Sequence, residues 1–348
     1  MPFDLLYRQQ RLAPVNLTIR EQARLIDNPL DLRWPALFPR VGTNGLKIRD
    51  LTKSELRLTA EYRTWNADGR ELWDAIGPMS EWEILPLTAT KHLDEKRMLE
   101  LSLPDPTMRQ LVDNGVLADV SMWATRLADA VHRRLEAASF NAWLSNQFTV
   151  MDPVTGTAIT TALGFSGTRY GTAGVAWTGG TSGTAYGNFV LQVAASRVKL
   201  GGDPSVARMR DATFQVIVSS APAGPNAIRP TVTNVQDRLA DQGIRTAIVV
   251  DERTYDKSTD GGQATTVTYY VPTGKIGFQP PDGRIGNTFS VAASRGGAEI
   301  MGDKRVNLQD VTVWYQEQND GKTLKLSGEN IAVPMPEEQR IYVYDALV

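Results

Sequence analysis

The sequence contains no cysteine and only two histidines among its 348 residues. The missing thiols exclude disulfides, thiolate nucleophiles and cysteine-ligated metals. His92 and His132 have no partner at metal-binding spacing, so we expect neither a histidine-centred metal site nor a catalytic triad. His132 lies beside Arg133 and Arg134, and we expect its side chain to be solvated or at a contact.

Long apolar stretches are also missing. The sequence has no apolar run long enough to cross a bilayer, and residues 1–16 lack the apolar core of a signal peptide. We therefore expect a soluble protein made in a cytoplasm, with no membrane partner. The formal net charge is only −2, so no strong basic field indicates nucleic-acid binding. Apolar residues make up 42% of the chain, which is enough for a sizeable core.

Motifs for catalysis or cofactor binding are incomplete. Residues 164–168 (GFSGT) lack the last glycine of a nucleophile elbow, and residues 316–323 (QEQNDGKT) lack the first glycine of a phosphate-binding loop. Residues 251–262 do not have the spacing of a calcium loop and are interpreted as a solvated loop. The glycine-rich stretch 164–188 contains no G-x-G-x-x-G and is interpreted as a flexible connector. We expect no enzyme, no cofactor and no metal.

Residues 1–45 are interpreted as an arm. They carry five prolines, and the helix predicted between them, over 18–27, is too short to bury its own apolar side chains. Apolar residues of this segment, Trp34 and Phe38 among them, must therefore lie on something else.

Residues 46–104 are interpreted as a long hairpin. Alternating side chains predict a strand over 56–63, a turn over 66–69 and a return strand over 80–92. An isolated two-stranded hairpin is marginal in water, and this one carries three tryptophans. Two interpretations stay open: the tryptophans lie in a core of the same chain, or they pack against another copy.

The rest of the chain mixes helices and strands in an α+β manner. Apolar residues recur at three- and four-residue steps over 116–147, which predicts a long helix. Beyond it we predict helices over 189–202 and 232–243, strands over 213–220, 244–252, 265–272 and 275–280, a hairpin over 311–328 and a last strand over 340–348.

Residues 176–196, 271–297 and 327–348 are three stretches that resemble the lambda-like major capsid protein E family. Residues 176–196 resemble its Gly- and Thr-rich approach to a helix, with Trp177 at the matching place. Residues 271–297 are similar to a Pro-bearing turn, short strand and Gly-Asn/Thr segment of the family, and 327–348 are similar to its carboxyl end. The glycine stretch is richer in glycine here, and the first 99 residues match only by architecture.

The resemblance implies the α+β shell fold of tailed phages, herpesviruses and encapsulins. The expected parts are an N-terminal arm (1–45), an extended β-hairpin or E-loop (46–104), a first P-domain part with the spine helix and glycine-rich connector (105–186), an A-domain (187–315) and P-domain return strands (316–348). The residues expected to contact neighbouring subunits are Trp34, Phe38, Tyr62, Arg63, Trp65, Arg70, Trp73 and Trp82. The expected hinge residues are Gly179, Gly180 and Gly183.

The function implied is that of the major capsid protein of a tailed double-stranded DNA phage. Copies of the chain are expected to form the hexamers and pentamers of an icosahedral head, assembled in the host cytoplasm. Expected partners are scaffolding protein, a portal, a decoration protein and, non-specifically, the packaged DNA. The alternatives are an encapsulin-like compartment shell, another virion protein such as a tail component, and an enzyme with a cryptic site.

Overall fold

The computed structural model describes residues 32–43, 47–53, 76–83, 86–93, 106–151, 158–178, 184–221, 232–241, 243–259, 264–291, 305–308, 311–318 and 323–346.

The described residues form five α-helices. They are α1 (Trp34–Leu37), α2 (Pro106–Ser145), α3 (Ala185–Leu200), α4 (Asp211–Ser220) and α5 (Val232–Asp241). The long helix predicted over 116–147 is confirmed as α2, which starts earlier, at a proline that suits the first helical position. Its 40 residues span about 60 Å at 1.5 Å per residue. Helix α3 ends at Gly201, whose φ of 74° is the left-handed conformation that terminates helices.

The strands alternate with these helices along the chain. They are β1 (Arg40–Thr43), β2 (Lys47–Lys53), β3 (Ile76–Glu83), β4 (Pro86–Leu93), β5 (Gln147–Met151), β6 (Ala158–Ala162), β7 (Tyr170–Thr172), β8 (Val206–Met209), β9 (Ala247–Val250), β10 (Thr254–Thr259), β11 (Ala264–Tyr269), β12 (Lys275–Gln279), β13 (Gly286–Val291), β14 (Arg305–Leu308), β15 (Val311–Gln318), β16 (Thr323–Pro336) and β17 (Tyr342–Asp345).

Two sheets form the body of the molecule. A six-stranded sheet has the order β1-β13-β16-β15-β14, with β4 also paired to β16, and a five-stranded sheet has the order β7-β17-β12-β8-β9. Strand β16 is long enough to pair with β15 and β4 near its start and with β13 near its end. Helix α2 packs on β16 and β4 of the first sheet and reaches β12 of the second. The long helix therefore spans both sheets.

The five-stranded sheet is the middle layer of three. On β12, Ile276 and Phe278 join the core beneath α3, α4 and α5. Gly277 points the other way, where an added Cβ would lie 2.6 Å from side-chain atoms of both Trp143 and Leu144 on α2. Because neighbouring residues of a strand face opposite sides, α2 and the helix layer α3–α5 lie on opposite faces of this sheet.

Three pairs of strands form separate ribbons. Within the described residues, β2–β3, β5–β6 and β10–β11 each pair only with each other. The antiparallel β2–β3 ribbon lies in the segment expected to be the E-loop. Two-stranded ribbons are marginally stable alone, so these ribbons need support from elsewhere.

The strand predicted over 213–220 is wrong, because these residues lie in helix α4. Thr213, Phe214, Ile217 and Val218 are buried, at spacings that place them on one helix face. Burial against α3 and the sheet decides the conformation here, over the β preference of the β-branched residues.

The return strand predicted over 80–92 is two strands instead. Strand β3 pairs with β2, whereas β4 pairs with β16 of the six-stranded sheet. The chain thus leaves the ribbon and enters the body between residues 83 and 86. The strand predicted over 56–63 lies outside the described residues.

The sheets do not divide at the expected boundary after residue 315. Strand β13 precedes it but pairs with β16, and β17 follows it but pairs with β12. Both sheets therefore draw strands from both sides of this boundary. Within the described residues, no helix has the length and apolar character needed to cross a membrane.

Candidate functional site

Four charged side chains meet between α2 and the five-stranded sheet: Glu136, Arg208, Asp251 and Arg253, here termed the charge cluster. Alternation along β8 turns Ala207 and Met209 into the helix layer and Arg208 toward α2. Asp251 and Arg253 follow β9, and Glu136 lies on α2.

Ion pairs connect the members of the charge cluster in a row. Arg208 Nη1 lies 2.7 Å from Asp251 Oδ2. Arg253 donates to the same carboxylate from Nε at 2.9 Å and from Nη2 at 2.8 Å. Its remaining Nη1 donates to Glu136 Oε1 at 2.6 Å. The guanidinium of Arg253 therefore bridges two carboxylates.

The N-terminal segment joins this cluster through its backbone. The N–H of Arg33, immediately before α1, donates to both carboxylate oxygens of Glu136, at 3.2 and 3.1 Å. The cluster thus ties together three segments that are more than a hundred residues apart in sequence.

Burial sets the electrostatics of the two carboxylates. Glu136 is fully buried, and this burial raises its pKa although Arg253 and the Arg33 N–H partly offset the effect. Burial would also raise the pKa of Asp251, but hydrogen bonds and charges from Arg253 and Arg208 outweigh it and lower that pKa. Asp251 thus stays ionised, and Arg253 gains a pKa above its usual value despite its burial.

Aromatic rings enclose the two arginines. The guanidinium carbon of Arg253 lies 5.6 Å from the ring centre of Phe140 and 5.4 Å from that of Tyr270. Arg208 lies 5.9 Å from Phe140. These distances suit cation–π contacts, which favour the charged arginines in a site with little water. Burial raises the pKa of the Tyr270 phenol to about 12, so it is neutral at ordinary pH.

The charges of the cluster balance. Two arginines face two carboxylates, so the formal sum is zero, and each carboxylate is already hydrogen-bonded. Such an arrangement holds chain segments together and leaves no poised base or nucleophile. Among the described residues, no group of three His, Asp or Glu side chains could hold a metal ion.

Sequence reasoning missed this cluster. Residues 251–262 were interpreted as a solvated loop, which is wrong at Asp251, because that side chain is buried, and over 254–259, which form β10. Glu136 lies among buried apolar residues on α2, so an acidic residue within the apolar stripe of the predicted helix was the available signal.

Trp34 and Phe38 lie in the chain's own core. Trp34 is 2% exposed and packs with Leu135 and Ala332. Phe38 is 0% exposed, in a cluster with residues of α2 and of the five-stranded sheet. The prediction that these two side chains contact a neighbouring subunit is therefore wrong. Since α1 is followed directly by β1, which pairs with β13, the chain supplies their partners itself.

His132, expected to be solvated or at a contact, is instead buried within the chain. Its ring stacks on Trp34 with centroids 6.3 Å apart and planes inclined by 20°. It therefore belongs to the packing between α1 and α2.

The other predicted contact and hinge residues fall beyond what can be described. Trp82 lies in β3, where it is paired with Ile48 of β2, but its side chain is outside the description. Tyr62, Arg63, Trp65, Arg70, Trp73, Gly179, Gly180 and Gly183 are outside the described residues.

Some large apolar side chains face solvent. On α3, Leu191 is 65% and Val198 is 83% exposed, on the side opposite the buried Phe189 and Val193. Val267, on the β10–β11 ribbon, is also exposed. A helix that is apolar on both sides is usually covered on both, so the exposed side of α3 is a candidate contact surface.

Comparisons with known proteins identify the fold. No protein-family model and no curated protein matches the chain. Among solved structures, the chain is similar to a prophage protein of E. coli CFT073 that is provisionally described as a capsid protein. The two chains are 11% identical, the match covers 94% of this chain and 98% of that chain, and the TM-score is 0.53.

Two further similarities have lower scores. A phage-related protein from Bordetella bronchiseptica RB50 has 14% identity, 96% coverage of each chain and a TM-score of 0.47. The capsid of Myoviridae Phage XM1 has 10% identity, 91% and 93% coverage, and a TM-score of 0.47. On the prophage match, the α+β tailed-phage capsid fold predicted from the sequence is confirmed.

Proposed function

We propose that the chain is the major capsid protein of a tailed double-stranded DNA phage, a structural protein of the virion and not an enzyme. Copies would form the hexamers and pentamers of an icosahedral head that encloses the genome. The observation that carries this proposal is the shared fold, which extends over 94% of this chain and 98% of the prophage protein.

The charge cluster supports a structural role. Its four charges are mutually neutralised, three of the four side chains are buried, and together they join α1, α2 and the five-stranded sheet. A shell subunit needs a rigid body from which ribbons reach toward other subunits. The β2–β3 ribbon pairs with no other described strand, which suits such a role.

Contacts between subunits are proposed to involve the E-loop segment. Its aromatic and arginine side chains, at Tyr62, Arg63, Trp65, Arg70, Trp73 and Trp82, are of the types that most often dominate interface energies. The exposed apolar side of α3 is a second candidate surface. Many weak contacts in a closed shell make the assembly stable while each contact stays reversible.

The remaining partners follow from this proposal. A scaffolding protein would guide assembly in the host cytoplasm, a portal would occupy one vertex, and a decoration protein could bind outside. The packaged DNA would contact the inner wall without sequence preference. No membrane and no cofactor would take part.

Negative-stain microscopy of the purified full-length chain, with sedimentation velocity, tests the proposal. We expect closed shells or capsomers that sediment far above a 38.3 kDa monomer. In particles from infected cells, nuclease-protected DNA favours a phage head, whereas enclosed protein without DNA favours a compartment shell. A chain that remains monomeric at all concentrations and binds a small molecule saturably would refute the shell and favour an enzyme.

The glycine-rich connector is proposed to be a hinge that lets subunits bend differently in hexamers and pentamers. Changing Gly179, Gly180 and Gly183 together to alanine narrows the backbone conformations of this segment. We expect fewer closed shells and more irregular particles by microscopy, with the melting temperature of the unassembled chain little changed. Normal shells of unchanged diameter would remove the hinge and leave the capsid proposal intact.

A further inference from the structure

A basic surface lies on the solvent-exposed side of α2. It consists of Lys91, Arg126, Arg133 and Arg134, here termed the α2 basic face. Arg126 and Arg133 are exposed and two turns apart, and Arg134 lies beside Arg133. From Arg126 to Arg133 the helix rises about 10 Å, at 1.5 Å per residue.

A tryptophan brings β4 into this surface. The ammonium of Lys91 lies 4.5 Å from the ring centre of Trp123, and the guanidinium of Arg126 lies 5.0 Å from the same ring. Both cations are thereby held at one place while remaining at least partly solvated. On the other flank, Arg134 donates to the carbonyl of Thr149 on the β5–β6 ribbon at 3.0 Å.

Among the described side chains, acidic groups do not neutralise this surface. The α2 basic face carries four positive charges, and the acidic residue placed among them on α2, Asp129, is half-buried. Asp129 lies four residues before Arg133 and offsets one charge. Counted over the described side chains, the surface therefore keeps a net charge of about +3, whereas the whole chain has −2.

The opposite side of the five-stranded sheet differs from the α2 basic face, because it carries exposed carboxylates. Among the described side chains, every exposed carboxylate lies between residues 203 and 282. Asp211, Asp237 and Asp241 are on α4 and α5, and Asp203 follows α3, so these four belong to the helix layer. Lys199 on α3 and Arg245 before β9 are also exposed, so this layer carries charges of both signs, whereas the exposed charged residues described on α2 are the arginines 126 and 133.

The chemistry of the α2 basic face favours phosphate over an acidic protein. The large apolar side chains that the described part of the chain exposes are Val41, Val175, Leu191, Val198, Val267 and Tyr269, and none lies on this face. Protein interfaces are usually anchored by apolar and aromatic groups in pockets. A row of guanidinium and ammonium groups on a polar surface instead suits the uniform charge of a nucleic-acid backbone.

We propose that the α2 basic face binds the phosphate backbone of double-stranded DNA without sequence preference, so that α2 faces the packaged genome and the helix layer α3–α5 faces outward. This proposal rests on the proposed capsid function. It assigns to that function a particular surface and an orientation of the subunit in the wall.

Fluorescence anisotropy with a labelled mixed-sequence DNA duplex tests the proposal. The full-length chain is titrated before assembly at several NaCl concentrations between about 50 and 200 mM. Each phosphate contact contributes about −0.9 to the slope of log K against log salt. The double variant Arg126→Gln with Arg133→Gln should therefore have a slope that is less steep by about 1.8. Between about 50 and 200 mM salt, the binding constant of the unchanged chain should therefore fall about twelvefold more than that of the double variant.

Two further variants separate charge from folding and position. Arg126→Lys with Arg133→Lys keeps both charges and should keep the slope. Arg245→Gln removes an exposed cation near the start of β9, away from the α2 basic face, and should also keep it. An unchanged slope in the double glutamine variant, or an equal loss in Arg245→Gln, would overturn the proposal.

A competition experiment examines the protein alternative. Polyglutamate at matched charge should displace the chain from DNA far less well than unlabelled duplex. Binding of polyglutamate but not DNA, lost in the double glutamine variant, would contradict the proposal in favour of an acidic protein partner. Microscopy of the same samples keeps the two questions apart: shells without DNA binding refute only this inference, and absence of shells refutes the capsid function.

Discussion

Replacing Arg253 by methionine removes the guanidinium that bridges Glu136 and Asp251 and keeps the apolar stem. Glu136 would then retain only the Arg33 N–H among its hydrogen-bond donors given above, and Asp251 would retain Arg208. Breaking a buried ion pair by removing one partner costs about 3–5 kcal/mol, because a buried charge is left without compensation. Since the Arg253 side chain is 23% exposed, we expect the lower end, about 3 kcal/mol.

Urea denaturation of the unassembled chain, followed by tryptophan fluorescence, measures this loss. The matched control is Arg197→Met, which breaks the ion pair with Asp203, where the side chains are 36% and 50% exposed. Exposed pairs contribute at most about 1 kcal/mol, so the control should lose far less. Equal losses in the two variants would refute the view that the charge cluster holds the subunit body together.

The pH dependence of the stability loss in Arg253→Met gives a second, independent test. Arg253 stabilises the ionised forms of both carboxylates, so the deficit of Arg253→Met is full at neutral pH. It should shrink on acidification, first as Glu136 takes up a proton at a pKa above its ordinary 4.5, and then as Asp251 does below 3.8. A deficit that grows toward low pH would contradict this assignment.

Two further predictions concern packing. Gly286→Ala should destabilise the subunit by about 1–3 kcal/mol, because an added Cβ would lie 2.2 Å from the carbonyl oxygen of Met335 in the six-stranded sheet. Gly42→Ala is the control: an added Cβ there has nothing within 4 Å, so the change in stability should stay within about 0.5 kcal/mol. Thermal melts of the unassembled chain compare the two variants. Trp34→Ala should cost about 3–5 kcal/mol in urea denaturation of the unassembled chain, since the ring is buried within the subunit. A loss seen only in assembled shells would restore Trp34 as a contact between subunits.

Much of the fold follows from local pattern. The apolar period of residues 116–147 predicts α2, and glycines at 201 and 243 mark the ends of α3 and α5 closely. The hairpin predicted over 311–328 is confirmed by the antiparallel pairing of β15 with β16. These signals are local, because they depend on side chains within one or two turns of one another.

Pairing between distant segments could not be predicted in the same way. That β17 joins β12, and that β13 crosses to β16, depends on packing between residues more than forty positions apart. The same holds for the charge cluster, in which Glu136 and Arg253 are 117 residues apart. A charged residue in a sequence carries no sign of whether its partner is water or a distant side chain.

The apolar residues of the first hundred positions show why composition alone misplaces interfaces. Trp34, Leu37 and Phe38 indicated a segment without a partner, yet they are buried against α2 and the sheets. An apolar side chain is stabilised when it is removed from water, whichever molecule covers it. The sequence therefore does not tell whether the same chain or another copy does so. The β2–β3 ribbon is different in kind, because its strands hydrogen-bond to no other described strand. A marginal ribbon needs an external support to persist. We therefore expect changes at Trp34 to impair folding before assembly, and changes in the ribbon to impair assembly alone.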